Sequence, residues 1–191
     1  AMYEIEGGYQ NVAIGNEAGL NITSGYQNVL VGSYAGDSIT SGDSITAIGY
    51  QAGAAMTTSN SSTFVGDGAG KNCTAYDNVF VGVNAGLGNT TAGGNVFMGV
   101  NAGSGTQDST NGGYNVAIGL EAGKLTTGAR SVFIGHRAGA QNTSAGYNVF
   151  IGRESGYKLT EGSGNVVIGY EAGPTSTVTS SNNLYIHNSN S

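Results

Sequence analysis

The stretch NVAIGNEAG (residues 11–19) returns along the chain as NVLVGSYAG (28–36), NVFVGVNAG (78–86), NVFMGVNAG (95–103), NVAIGLEAG (115–123) and NVFIGRESG (148–156). The Gly after each short apolar run serves as a marker. It falls at Gly15, Gly32, Gly49, Gly66, Gly82, Gly99, Gly119, Gly135, Gly152 and Gly169, spaced by 17, 17, 17, 16, 17, 20, 16, 17 and 17 residues. A second Gly follows four residues later in all ten copies, preceded by Ala in nine and by Ser155 in the other. Eight residues after the marker stands Thr in nine of ten copies (Thr23, Thr40, Thr57, Thr74, Thr90, Thr127, Thr143, Thr160 and Thr177), with Gln107 breaking the column.

A period of 17 is too short for helical repeats, which need about 33 residues, or for propeller blades, which need about 40. It suits one coil of a β-solenoid. The NVAIG segment is β-branched and bounded by turn residues, as a strand should be. Each fixed Gly marks a place where the backbone turns with positive φ or where no Cβ fits. Equivalent strands of successive coils then pair in parallel, so ten coils make a rod about 50 Å long at roughly 4.8 Å per coil. The fold class expected is all-β: a parallel β-solenoid of about ten 17-residue coils.

Composition agrees with an ordered repeat more than with a disordered tract. The 191 residues include 35 Gly, one Pro and no Trp, and 9% are charged. Such Gly content would suggest low complexity, but disorder gives no reason to hold Val and Ile at fixed offsets. A net charge of −6 with six basic residues excludes a clustered phosphate-binding patch, and with it nucleic acid and anionic membrane surfaces. One Cys (Cys73) excludes an internal disulfide framework, and no apolar run of about 18 residues suggests membrane insertion. Residues 1–7 read as a cloning scar and lead-in, 8–173 as the solenoid, and 174–191 as a capping strand and tail. The chain is expected to be a fragment, with any export signal or anchor outside it.

Alternation along the strand separates two sets of side chains. The flanking pairs (Val12/Ile14, Val29/Val31, Val79/Val81, Val132/Ile134 and their equivalents) are uniform and β-branched, and are expected to fill the coil. The middle residues are Ala13, Leu30, Ala47, Phe64, Phe80, Phe97, Ala117, Phe133, Phe150 and Val167. Pointing the other way, this column would leave five Phe in water, a patch too large for a soluble monomer. A symmetric homo-oligomer would cover it. A homotrimer is expected, with Leu30, Phe64, Phe80, Phe97, Phe133, Phe150 and Val167 at the interface.

The repeated NVAIG..AG resembles the NSVAIG-type head repeat of YadA-like trimeric autotransporter adhesins. That resemblance implies a left-handed parallel β-roll in a homotrimer. The copies here are longer and carry AG after the strand, and in this they look more like repeats of phage tail-fibre proteins and related bacterial surface fibres. The closing NNLYIHNSN (residues 182–190) resembles the segment that ends such arrays before a removable intramolecular chaperone, although no chaperone domain is present. The resemblance covers residues 8–190 and implies an extracellular, cell-surface or virion fibre location.

Chemistry is sparse. His136 and His187 stand in different coils without a nucleophile and acid nearby. Glu17, Glu121, Glu154 and Glu171 occupy the variable pair between the two Gly, where stacking could bring Glu154 and Glu171 to the 5–9 Å that a glycosidase needs; a solvated face does the same without chemistry. The calcium nonapeptide GGxGxD is absent, and neither metal nor cofactor is expected. The N-x-S/T triplets at Asn21, Asn60, Asn72, Asn89 and Asn142 follow from the Thr column and read as turn chemistry. Cys73 replaces Ile22, Ile39, Met56 and Leu159 of other units and reads as a buried small hydrophobe.

The expected function is therefore non-enzymatic: a trimeric fibre or adhesin segment presenting a surface for a glycan or protein receptor. Two places could read a partner. One is the 20-residue unit, with Gln107 and Asp108 in its extra loop. The other is the ridge between the two Gly, with Tyr34, Tyr50, His136, Arg137, Arg153 and Tyr170. Two alternatives remain open: a pure fibre spacer, and an ice-binding solenoid using the Thr column.

Overall fold

The computed structural model describes residues 8–105, 112–144 and 146–187. Each coil contributes one three-residue strand: β1 (Val12–Ile14), β2 (Val29–Val31), β3 (Thr46–Ile48), β4 (Thr63–Val65), β5 (Val79–Val81), β6 (Val96–Met98), β7 (Val116–Ile118), β8 (Val132–Ile134), β9 (Val149–Ile151), β10 (Val166–Ile168) and β11 (Leu184–Ile186). They make one eleven-stranded sheet in chain order, and every neighbouring pair is parallel and in register. No helix occurs among the described residues. The chain is an all-β solenoid of about ten turns, as the 17-residue period requires. The 20-residue unit keeps the register, with Phe97 opposite Ala117. Strand β11 and a bridge between Leu159 and Val178 carry the stack through residues 174–187 as one further rung.

The two faces of the strand are the reverse of the expectation. Leu30, Phe64, Phe80, Phe97, Phe133, Phe150 and Val167, expected at an interface between chains, are all fully buried within a single chain. The flanking residues point out, with Ile14, Met98, Ile118, Ile134, Ile151 and Ile168 exposed. The physical reason is the strand's length. Three alternating residues set one side chain against two, and a coil this narrow has room for the one. Uniformity of the flanking columns reflects a flat outer face, not a core.

Inside, the rings stack from coil to coil. Phe64 and Phe80 have centroids 5.4 Å apart, Phe80 and Phe97 lie nearly parallel at 5.0 Å, and Phe133 and Phe150 follow at 5.5 Å. Their space comes from the second Gly of each unit. At Gly86, where φ is +61°, a Cβ would sit 2.5 Å from the Phe80 ring. The marker Gly serves the stacking itself: at Gly15, φ is +133° and a Cβ would lie 2.5 Å from the carbonyl oxygen of Gly32 in the next coil. The Ala before the second Gly and the column of Ile22, Ile39, Met56, Cys73 and Leu159 complete the core.

Two polar ladders hold the corners. The Asn that precedes each strand is buried at Asn28, Asn78, Asn95, Asn115, Asn148 and Asn165. Its Oδ1 accepts the N–H of the equivalent residue one coil on, as from Asn95 to Asn78 and from Asn115 to Asn95, both 2.9 Å. Its Nδ2 donates to a turn carbonyl of the next coil, as from Asn28 to Gly42 O at 2.8 Å and from Asn148 to Gly162 O at 2.9 Å. Ser62 and Ser131 stand in for Asn, each accepting through Oγ from Asn78 N–H at 3.2 Å and Asn148 N–H at 3.1 Å. The Thr column forms the second ladder: Thr23, Thr74, Thr127 and Thr143 donate their hydroxyls to the Thr carbonyl of the following coil at 3.0–3.2 Å.

Candidate functional site

The largest surface feature is the outer face of the sheet. Because each strand turns its two flanking side chains outward, eleven rungs give two parallel columns of Val, Ile, Thr, Met and Leu. A third column, one residue past the marker Gly, adds exposed Val83, Val100 and Leu120 beside Met98 and Ile118 in the middle of the rod. The result is a flat apolar strip about 50 Å long at roughly 4.8 Å per rung. Isolated exposed apolar residues are ordinary, but a contiguous strip of this length is not.

Beside this strip runs the ridge between the two Gly. The left-handed residue at its apex (φ +59° at Tyr34, +56° at Arg137, +53° at Glu154) throws the side chain clear of the coil. Stacking brings the expected receptor residues into two separate groups. Tyr34 and Tyr50 meet edge to face at 6.1 Å. Several coils further on, Lys124, Glu121, Arg137, Glu154 and Arg153 form one chain of ion pairs at 2.8–3.7 Å. Arg137 lies 4.8 Å from the Tyr157 ring and donates to its hydroxyl at 2.7 Å. Arg153 does the same to Tyr170, at 5.3 Å and 3.0 Å. The hydrogen bond from Lys124 is the main reason the Glu121 carboxyl is held below its usual range. His136 adjoins this group in sequence, next to Arg137. Gln107 and Asp108 lie outside the described residues.

Glu154 and Glu171 do border a common pocket of about 390 Å³, with Tyr157, Lys158, Pro174 and His187. Glu154 is bound up with Arg137 and Arg153, so the carboxylate is part of the ridge's own scaffold. Among the described residues no cluster of His, Cys, Asp and Glu could hold a metal ion, and no helix is long and apolar enough to cross a membrane.

Cys73 is buried, its thiol pushed up to about 11 by burial. Asn89 and Asn142 are buried. Asn21 and Asn60 cap turns, Asn21 by donating to Asp37 O at 2.7 Å and Asn60 by accepting from Asp43 N–H at 2.9 Å. The Thr hydroxyls donate along the stack.

Two arrangements escaped the sequence reading. One is the ladder of Asn before each strand, a position that the sequence reads only as a boundary of turn residues. The other is a column five residues before the marker Gly, where Tyr114, Arg130 and Tyr147 fall in three successive coils. Aligning the units on that position would have disclosed it. No family model matches this chain, and neither a curated protein nor a solved structure matches it.

Proposed function

We propose that the chain is a non-enzymatic segment of a trimeric fibre: a left-handed β-roll rod that gives stiffness and presents receptor-binding side chains at a cell or virion surface. The observation that carries this reading is the apolar outer face of the sheet. Each outward Val or Ile is half covered by its neighbours, so burying the rest is worth roughly 0.5–1 kcal/mol, and the sum along the strip suffices for stable association. Three copies around a common axis cover the strip with one symmetric contact. The likeness of the NVAIG..AG units to trimeric adhesin and tail-fibre repeats supports three subunits and the left hand. The ridge, on the flank of the strip, stays accessible in such an assembly.

Light scattering tests this directly. The chain should have a mass near 57 kDa, three times 19.1 kDa. A Met98→Asp/Ile118→Asp variant places two charges on the outer face and should yield a folded 19.1 kDa monomer. Phe80→Asp, by contrast, buries a charge in the chain's own core and should unfold it. A wild-type monomer would overturn the reading.

A further inference from the structure

The turn that precedes the strands carries a second surface, lined by residues of neither the strands nor the ridge. It is a shallow groove of about 580 Å³, and its walls include Tyr76, Tyr114, Arg130 and Tyr147. The tyrosines are 59, 64 and 63% exposed, far more than a ring kept for packing. They belong to the coils of β5, β7 and β9, every second rung, so they are set about 10 Å apart along the axis at roughly 4.8 Å per coil. That spacing is close to the length of two pyranose rings joined end to end. Between them the floor is backbone, at Gly93, Gly113, Gly128 and Gly146. Gly94 is shaped for its neighbour: with φ at +73°, a Cβ there would meet the Tyr114 ring at 2.7 Å.

Arg130 sits between two of these rings. Its guanidinium carbon is 5.6 Å from the Tyr114 centroid and 5.7 Å from that of Tyr147, and Nη1 donates to the Tyr147 hydroxyl at 3.3 Å. Arg137 and Arg153 are both ion-paired, whereas Arg130 has no carboxylate partner among the described residues. Among the described residues no Asp or Glu lines the groove. A guanidinium held in place by two rings, in a chain of net charge −6, presents a local positive site with donors left to give. Fork geometry of this kind suits a carboxylate.

We propose that this groove binds an acidic saccharide, stacking the apolar faces of its pyranose rings on the tyrosines and pairing a sugar carboxylate with Arg130. A folded peptide partner would want a deep apolar anchor pocket, and the groove has none; a flat ring with a polar rim fits it. The inference deepens the fibre reading by naming a receptor class and the residues that read it.

The test is binding of the intact chain to immobilised and free oligosaccharides of three kinds: carboxylated (uronic and sialic), sulfated, and neutral, with the methyl esters of the carboxylated set as controls. Binding should be confined to the carboxylated sugars and lost on esterification. Arg130→Gln and Tyr114→Ala should each weaken it about tenfold or more, with circular dichroism unchanged. Lys71→Gln, which removes a cation that does not line the groove, should leave it intact. Binding to none of the sugars, to neutral or sulfated sugars alone, or an equal loss in Lys71→Gln would overturn the proposal. The groove lies within one chain, so a trimer that ignores these sugars fails this inference alone. A monomer that binds them fails the fibre reading alone.

Discussion

A single Asn side chain does the work of a corner brace in this fold. Asn115 accepts the Ser131 N–H at 2.9 Å and donates to the carbonyls of Gly112 and Gly128 at 2.6 and 2.8 Å. Removing it leaves three buried backbone groups without partners. Asn115→Ala should therefore cost about 2–3 kcal/mol in urea unfolding, while Asn115→Ser, which keeps an acceptor as Ser62 and Ser131 do, should cost less. Cys73 makes a second residue-scale case. Its folded thiol is raised from 9.0 to about 11, so the unfolded chain loses its proton first as pH rises. The stability linked to Cys73 is full below pH 9.0 and is lost progressively towards 11. Melting temperature should fall more steeply over pH 8.5–10.5 in the wild type than in Cys73→Ala, and a maleimide should label Cys73 only in denaturant.

At the scale of the strand, the period and the direction of pairing were legible and the facing was not. Ten markers 16 to 20 residues apart left few architectures to choose from. Facing was hidden because a three-residue strand of Val-Phe-Val is apolar on both sides, and alternation alone does not say which side is the inside. What decides it is the count of side chains against the room in the coil, together with the second Gly, whose missing Cβ makes the hole that the ring fills. The Asn before the strand looked like punctuation because Asn so often is; its burial depends on a neighbour one full coil away. The pairing of ring and Gly is testable. Gly86→Ala adds a Cβ 2.5 Å from the Phe80 ring at a residue with φ +61°, and should cost about 2–4 kcal/mol from strain and overpacking together. Phe80→Leu in the same chain should relieve part of that, so the double variant should be more stable than the sum of the two single losses predicts.

Across the whole molecule, each strand touches only the strands before and after it. Stability is then close to a sum of rungs and the contacts between them. Deleting residues 83–99, one full 17-residue unit, joins Gly82 to Val100 and restores the Gly-Val sequence of the turn. The shortened chain should fold with the same circular dichroism per residue and a modestly lower melting temperature. The geometry also fixes how the rod answers force. Hydrogen bonds between parallel coils lie along the rod axis, so tension applied at its two ends bears on a single rung at a time instead of shearing many at once. A single chain drawn out in this way should give way at low load in a train of equal steps. Each step frees 17 residues, about 55 Å of slack at roughly 3.3–3.6 Å per residue less the rung itself. Such a chain behaves as a brake line that lengthens coil by coil before anything at either end lets go.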